Sequence, residues 1–190
     1  MDAPAADEAL MSRYRDGDAG AFEALYQRHR GGLFRFILRQ CGEQAVAEEL
    51  FQDVWMRVIR ARSSYQATAR FTTWLYQVAR NRVIDHYRRR RRRLRVVDDA
   101  DTDSDGAAEP AAPACEQPER RAESTQGIDR LLALVMQLPP EQREAFLLRE
   151  EAGMSIEEIA ECTGVAPETA KSRLRYAVKK LRAGLSEHHE

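Results

Sequence analysis

A stretch near the middle of the chain, DDADTDSDGAAEPAAPACEQPERRAEST (98–125), restricts how the 190 residues can fold. It consists largely of Ala, Pro, Asp and Glu and has almost no large apolar residue, so it cannot bury enough surface to offset the entropy of ordering it. A structureless loop of this length is also uncommon inside one compact domain. The segment therefore predicts a flexible acidic linker between two domains, residues 1–97 and 126–190, with a surface loop of a single domain as the alternative.

The charges divide along the same boundaries. Residues 1–97 carry 19 Arg and Lys against 11 Asp and Glu, residues 98–125 carry 2 against 9, and residues 126–190 carry 9 against 11. The formal net charge of −1 therefore conceals a strongly basic first domain. Near its end that domain has six consecutive arginines, of which Arg88 and Arg89 are expected to continue a helix and Arg91–Arg93 to fray towards the linker.

Several classes of protein are disfavoured by what the sequence lacks. Its start has no basic-then-apolar secretory signal and no apolar run approaches the roughly 20 residues that span a bilayer, so we expect a soluble cytoplasmic protein without membrane insertion. Cys41, Cys115 and Cys162 have neither disulfide nor metal-ligand spacing, and His188 and His189 are expected to form a polar tail. We expect no metal, no cofactor and no catalytic activity, because no nucleophile or paired-carboxylate pattern is present.

Both domains show the periodicity of α-helices, without the sustained alternation of half-buried strands, so the expected fold is all-α. In the first domain we expect helices over about 18–40, 45–60 and 71–93. The middle helix, AVAEELFQDVWMRVIR, has a polar cluster followed by apolar residues. Periodicity alone explains this pattern as the solvated face of an amphipathic helix.

The third helix, FTTWLYQVARNRVIDHYRRRRRR, has two unlike faces when its residues are placed at 100° intervals. The face opposite the apolar side is predicted to gather Thr73, Gln77, Arg80, Asn81 and Arg88, bordered by Trp74, Tyr76 and Tyr87. Aromatic rings stack on unpaired bases at roughly 1 to 3 kcal/mol each, and arginines neutralise phosphates. The combination favours single-stranded nucleic acid as a partner, the alternative being that the aromatic residues belong to the core.

The second domain has the helix start and stop signals that are typical of a helix-turn-helix. Ser155 and Glu158 form a capping box before one helix, Gly164 is placed to end that helix in a left-handed turn, and Pro167 begins the next. The outward side of that last helix is predicted to consist of Glu168, Thr169, Ser172, Arg175, Tyr176 and Lys179. Such a face fits the major groove of DNA, although a plain helical hairpin would share part of the pattern.

Four motifs in a fixed order extend this interpretation to nearly the whole chain. They are AFEALYQRHRGGLFRFI, AEELFQDVWMRVIR and FTTWLYQVARNRVIDHYRRR in the first domain, and LPPEQREAFLLREEAGMSIEEIAECTGVAPETAKSRLRYAVKKLR in the second. Together they resemble the extracytoplasmic-function sigma factors, promoter-specificity subunits of bacterial RNA polymerase within the sigma-70 family. The resemblance implies that residues 1–97 are sigma region 2, that residues 126–190 are sigma region 4, and that the linker threads through polymerase channels between them.

The resemblance and the outward faces together assign expected roles to individual residues. Contact with the clamp coiled coil of the largest subunit of core RNA polymerase is expected from Glu48, Glu49, Gln52, Asp53 and Trp55. Recognition of the −10 promoter element is expected from Ser63, Ser64, Tyr65, Arg70, Phe71, Thr73, Trp74, Gln77, Asn81, Asp85, Arg88 and Arg89. Recognition of the −35 element is expected from Glu168, Thr169, Lys171, Ser172, Arg173, Arg175, Tyr176 and Lys179. Region 4 is also expected to contact the polymerase flap.

The implied function is to bring core polymerase to particular promoters, with the polymerase performing the chemistry. The resemblance also implies a monomer outside its complexes, a cognate anti-sigma factor, and a stress, envelope or metal-response regulon. A membrane-bound anti-sigma factor would hold the chain at the inner membrane face. Two other functions stay open at this point: a stand-alone helix-turn-helix regulator that does not act through core polymerase, and an Arg-rich RNA-binding protein.

Overall fold

The structure is a computed structural model that describes residues 5–98 and 124–186. Within these ranges every regular element is an α-helix, which confirms the all-α prediction. In chain order the helices are α1 (Asp7–Arg15), α2 (Ala19–Cys41), α3 (Gln44–Arg60), α4 (Phe71–Asp98), α5 (Ser124–Met136), α6 (Pro140–Ala152), α7 (Ile156–Thr163) and α8 (Pro167–Ser186). No helix in the described ranges is long and apolar enough to cross a membrane.

The first domain is a bundle of α1 to α4 arranged around α2. Asp18 caps α2, since its side chain accepts a hydrogen bond from the Ala21 backbone N–H at 3.2 Å, and Gly42 ends the helix with a left-handed φ of +73°. Helix α2 runs unbroken through Gly31 and Gly32, and its core-facing side chains Leu25, Leu33, Phe36 and Ile37 are fully buried. The short helix α1 packs against α2 and was not anticipated from the sequence.

The second domain follows the helix-turn-helix prediction closely. Helix α6 begins at Pro140, directly after Pro139. The Ser155 side chain accepts from the Glu158 backbone N–H at 3.2 Å, and the Glu158 carboxylate accepts from the Ser155 backbone N–H at 2.8 Å, which confirms the capping box. Gly164 ends α7 with a φ of +70°, and α8 begins at Pro167. Helix α8 packs on both α6 and α7.

The arginine run departs from its prediction. Helix α4 continues through it to Asp98, so the expectation that Arg91–Arg93 fray is wrong. Helical geometry consequently fixes the directions of the first arginines in the run. Most of the predicted linker, together with Cys115 and the terminal histidines, lies outside the described residues, and the linker remains a prediction.

The two domains pack against each other, which nothing in the sequence had indicated. Helix α2 contacts α6, and α4 contacts both α6 and α7. At the centre of this contact Gly32 lies so near the second domain that a Cβ atom there would come within 2.9 Å of the Glu151 carbonyl oxygen and of the Tyr76 hydroxyl. A side chain at position 32 is therefore incompatible with the observed approach.

Candidate functional site

The polar cluster of α3 lies on the surface, and an apolar patch lies beside it. Glu48, Glu49, Gln52 and Asp53 are all exposed. At 100° per residue the same face also carries Met56 and Ile59, which are 45% and 39% exposed although they are large and apolar. Sequence reasoning missed these two residues, and the signal that could have found them is their position on an otherwise polar face. Exposed apolar residues within a polar rim are typical of a protein–protein contact.

Trp55 does not lie on this exposed face. Its indole is 5% exposed and belongs to a cluster of aromatic rings. The centroid distances from Trp55 are 5.0 Å to Tyr26, 5.8 Å to Phe22 and 6.2 Å to Phe51. Because Trp55 packs into the bundle, its structural role is to hold α3 against α2, and the direct contact with polymerase expected from it is not available in this conformation.

The exposed stripe of α4 contains five of the residues expected to recognise the −10 element. Gln77, Asn81, Arg88 and Arg89 are exposed, and Asp85 is half-buried. Gln77, Asn81 and Arg88 lie within about 40° of one another around the helix axis, so their side chains follow one line along the helix. Two adjacent shallow grooves between α3 and α4, about 320 and 300 Å³ in volume, share Asp53 and Arg82 in their walls. The two predicted surfaces, for polymerase and for DNA, therefore meet along these grooves.

The loop before α4 is held by aromatic side chains. Tyr65 is 8% exposed and Phe71 is fully buried, and their ring centroids lie 5.3 and 5.8 Å from that of the half-buried Trp74. Ser63, Ser64 and Arg70 are exposed around this cluster. Direct contact with a base is therefore open to Trp74 and to the exposed loop residues. Tyr65 and Phe71, which were expected to contact DNA, instead hold the loop in place.

Helix α1 also holds this loop in place. The contacts that do so were not predicted from the sequence. The Glu8 carboxylate accepts a hydrogen bond from the backbone N–H of Phe71 at 2.7 Å. This N–H belongs to the first turn of α4, where backbone donors have no partner within the helix. The guanidinium of Arg62 lies 5.0 Å from the centre of the Tyr14 ring, which joins the start of the loop to α1 as well. These contacts link residues far apart in sequence, and local patterns do not reveal them.

The prediction that Thr73 lies on an exposed face of α4 is wrong, whereas for Tyr76 the alternative of a core position is confirmed. Thr73 is 2% exposed and Tyr76 is 1% exposed. The Tyr76 hydroxyl donates to the Glu151 carbonyl oxygen at 3.1 Å, so this side of α4 is covered by the second domain. Arg80, expected on the same face, donates through Nε to the Glu144 carboxylate at 2.9 Å. Tyr87 also turns inward, and its hydroxyl donates to the Gln40 carbonyl oxygen at 3.0 Å.

The outward face of α8 matches its prediction. Exposed residues are Glu168, Thr169, Lys171, Arg175, Tyr176 and Lys179, while Ser172 and Arg173 are half-buried. The guanidinium of Arg175 lies 5.1 Å from the centre of the Tyr176 ring, a cation–π contact. Buried Ala170, Ala177 and Leu181 fix the opposite side of α8 against the domain core. The basic N-terminal half of α8 is thus presented to solvent by a rigid support.

Neither cysteine in the described ranges shows reactive character. Burial raises the pKa of Cys162 to about 12, and burial also raises the pKa of Cys41 above its ordinary value. A thiol is nucleophilic only as thiolate, so both groups are held in the inert form near neutral pH. Across residues 5–98 and 124–186, no three His, Cys, Asp or Glu side chains are grouped so that they could hold a metal ion.

Each of the two domains matches a protein-family model, and nearly the whole chain matches known proteins. The family model for sigma-70 region 2 matches residues 25–93, and that for sigma-70 region 4 matches residues 128–181. The RNA polymerase sigma factor CarQ of Myxococcus xanthus is 36% identical over 177 residues, covering 93% of this chain and 96% of the relative. The ECF RNA polymerase sigma factor SigL of Mycobacterium tuberculosis is 36% identical over 182 residues, covering 94% and 97%.

A solved structure is similar over both domains as well. It is the sigma factor RpoE of Bartonella quintana in complex with the anti-sigma factor NepR. The TM-score is 0.67 at 25% sequence identity, over 87% of this chain and 96% of that chain. Agreement of the family models, the full-length relatives and the fold confirms the resemblance drawn from the sequence motifs. The chain belongs to the extracytoplasmic-function sigma factors of RNA polymerase.

Proposed function

We propose that this sigma factor binds core polymerase through the exposed face of α3, the −10 element through α4 and its preceding loop, and the −35 element through α8. The observation that carries the proposal is the presence of two separate basic, solvent-facing surfaces, the α4 stripe and the α8 face, on two domains of one chain. A chain with two such surfaces can contact two promoter elements together. The polymerase supplies the catalysis, and this chain makes and breaks no covalent bond.

At the −10 element the proposed event is capture of an unpaired base. Flipping a base out of the stack costs a few kcal/mol. Stacking on a ring such as Trp74 returns roughly 1 to 3 kcal/mol, and Ser63, Ser64 and Arg70 offer hydrogen-bond donors close by. Gln77, Asn81 and the arginines of the α4 stripe would follow the displaced strand and its phosphates. Thr73 is left out of the direct contacts because it is buried.

At the −35 element the proposed event is insertion of α8 into the major groove. Lys171 and Arg175 are exposed near the beginning of the helix, where they would reach guanine edges or phosphates. Thr169 and Ser172 would bond either base type, and the half-buried Arg173 would reach the backbone. Tyr176, Lys179 and Glu168 complete the surface that would face DNA.

Core polymerase is proposed to bind the exposed α3 face. Its acidic residues would pair with a basic surface on the clamp coiled coil, while Met56 and Ile59 would become buried in the contact. Region 4 would contact the flap. An anti-sigma factor is proposed to bind the chain and to compete with polymerase, by analogy with the Bartonella quintana complex. If that partner is membrane-bound, it would hold the chain at the inner membrane face.

Run-off transcription tests the proposal directly. Core polymerase from a bacterium is mixed with the full chain and a genomic library, and transcript starts are mapped. We expect starts that share a −35 and a −10 motif and that disappear when the chain is omitted. Failure to form a holoenzyme, together with binding of duplex DNA by the chain alone, would instead indicate a stand-alone regulator. Tighter binding to structured RNA than to promoter DNA at moderate salt would indicate the RNA-binding alternative.

A further inference from the structure

Helix α1 contacts both ends of the loop that precedes α4. At the start of the loop, the Arg15 carbonyl oxygen accepts from Nε and Nη2 of Arg62 at 3.4 Å each, and the same guanidinium lies 5.0 Å from the centre of the Tyr14 ring. At the end of the loop, the Phe71 backbone N–H donates to the Glu8 carboxylate at 2.7 Å. Tyr14 and Arg15 belong to the last turn of α1, and Glu8 belongs to its first turn. One helix therefore holds both ends of the loop.

These two contacts fix the span of the loop. Glu8 and Arg15 are seven residues apart in an α-helix, which separates them by about 10 Å along its axis. The chain from Arg62 to Phe71 could reach about 30 Å if it were extended. Its length alone therefore does not determine its course. The contacts with α1 help to determine how the loop presents its exposed residues beside Trp74.

Asp7, next to Glu8 in the first turn, holds α1 on α2. Its carboxylate accepts from Nε2 of His29 at 2.8 Å and also from Arg28, and its side chain is 14% exposed. The His29 ring in turn packs against the Phe71 ring, with 5.5 Å between the centroids. Asp7 is therefore connected to the end of the loop in two ways, through Glu8 in the same turn and through His29.

Neither Asp7 nor Arg62 is placed to bind DNA itself. Both oxygens of the largely buried Asp7 carboxylate already accept hydrogen bonds, and a carboxylate would repel a phosphate. Arg62 is half-buried, and its guanidinium is occupied by a carbonyl oxygen and an aromatic ring. Any effect of these two residues on DNA must therefore act through the position of the loop. Helix α1 also precedes residues 25–93, so the match to sigma-70 region 2 does not involve it.

We propose that α1 is a positioning element for capture of the −10 base, with Asp7 and Arg62 as its positioning residues. This inference rests on the proposed function, because it assumes that the loop receives an unpaired base. Arg62 holds the start of the loop and Asp7 its end, so Ser63, Ser64 and Trp74 are arranged before DNA arrives. A loop that is already ordered binds more tightly, since the cost of ordering it is not incurred on association.

Two substitutions release the loop, and two controls do not. Asp7→Ala removes the contact with α2, and Arg62→Ala removes the contact at the start of the loop. The first control, Arg30→Ala, removes one positive charge from an exposed position of α2. The second, Ile37→Val, removes a buried methylene group and lowers the stability of the bundle. Ile37 lies about two turns beyond His29, which α1 contacts.

Hydrogen exchange of the free full-length chain, followed by mass spectrometry, examines the loop without DNA. Asp7→Ala and Arg62→Ala should speed exchange in the peptide 61–71 by about tenfold, as expected when bonds to charged groups are lost. Exchange of buried α2 amides is measured in the same samples and reports the stability of the whole domain. Relative to those amides, Arg30→Ala and Ile37→Val should leave exchange of the loop at the wild-type value.

Fluorescence anisotropy with two labelled single-stranded oligonucleotides then examines base capture. One has the mapped −10 sequence, and the other is abasic at the position with the strongest base preference. The wild-type chain should prefer the intact oligonucleotide by about tenfold, which stacking of one base can supply. Asp7→Ala and Arg62→Ala should lower this preference to about threefold or less. A protein that is merely less stable loses affinity for both oligonucleotides equally and keeps the preference.

Exchange of the loop in both contact variants equal to that in Ile37→Val would overturn the inference. Faster exchange with an unchanged preference for the intact oligonucleotide would also overturn it, because α1 would then hold the loop without serving base capture. Exchange needs neither DNA nor polymerase. If it changes as expected but no promoter-specific transcripts form, the proposed function fails and α1 only stabilises the loop. Promoter-specific transcripts with an unchanged preference would instead retain the proposed function and remove this inference.

Discussion

Replacing Glu8 tests whether α1 sets the geometry of the −10 loop. Its carboxylate accepts from the Phe71 backbone N–H at 2.7 Å, and Glu8→Ala leaves that donor without a side-chain partner at the start of α4. Loss of an N-terminal cap costs about 0.5–2 kcal/mol, and loss of a hydrogen bond to a charged group costs about 1.5–3 kcal/mol. Because Glu8 is half-buried and water can reach the vacated site, we expect a cost of about 1–2 kcal/mol. For a chain of this size that lowers Tm by about 2–8 °C.

The assay pairs thermal unfolding, followed by circular dichroism, with oligonucleotide binding. Glu8→Gln keeps an acceptor oxygen and should lose less than half as much stability. Glu23→Ala is the control, since Glu23 is exposed and its hydrogen bond is to Gln27 in the same helix. Glu8→Ala should weaken binding to single-stranded −10 DNA and leave duplex −35 binding unchanged. A Tm for Glu8→Ala within about 1 °C of that for Glu23→Ala would refute the reasoning.

Three further results are expected. Helical spacing puts Arg88 and Arg92 on the same side of α4 as Asn81. The double substitution Arg88→Ala with Arg92→Ala should therefore reduce promoter opening, measured by permanganate reactivity, more than Arg90→Ala with Arg91→Ala does. Equal losses would indicate a nonspecific charge effect. Ser155→Ala removes half of the capping box and should cost about 1 kcal/mol and weaken −35 binding, whereas an unchanged Tm would contradict this role. Burial raises the pKa of Cys162 to about 12, and burial also raises the pKa of Tyr65 and Tyr87. The folded state therefore holds these protons more tightly than the unfolded state, so stability should be fully present below about pH 9 and fall as pH rises further, and a urea midpoint that is constant from pH 7 to 11 would argue against it.

The parts of the fold that the sequence predicted are those determined by neighbouring residues. The capping box joins positions 155 and 158, and the left-handed turn depends on Gly164 alone. The outward face of α8 was also predicted correctly, because that helix packs on one side and is open to solvent on the other. A division of a helix into a core face and a solvent face is valid in that situation.

The same division failed for α4 because this helix is packed on more than one side. Its apolar side faces the bundle, and the second domain contacts Tyr76 and Arg80 on a flank that is polar in sequence. The contact between Arg35 and Glu151 joins residues 116 positions apart, and neither residue differs from an ordinary surface charge in its local pattern. Periodicity cannot reveal such a contact, nor the bond between Glu8 and Phe71.

The two oxygens of the Glu158 carboxylate divide two tasks between them. Oε2 accepts from the Ser155 backbone and maintains the first turn of α7, while Oε1 accepts from Arg70 of the other domain. Burial works against the charged form, but the bonds from Ser155 and Arg70 lower the pKa of Glu158 below its ordinary value. When the Arg70 contact is lost, water can bind Oε1 in its place, and Oε2 keeps its hydrogen bond from the Ser155 backbone N–H. Loss of the Arg70 contact would therefore leave the first turn of α7 capped, because the reciprocal bonds between Ser155 and Glu158 lie within the second domain.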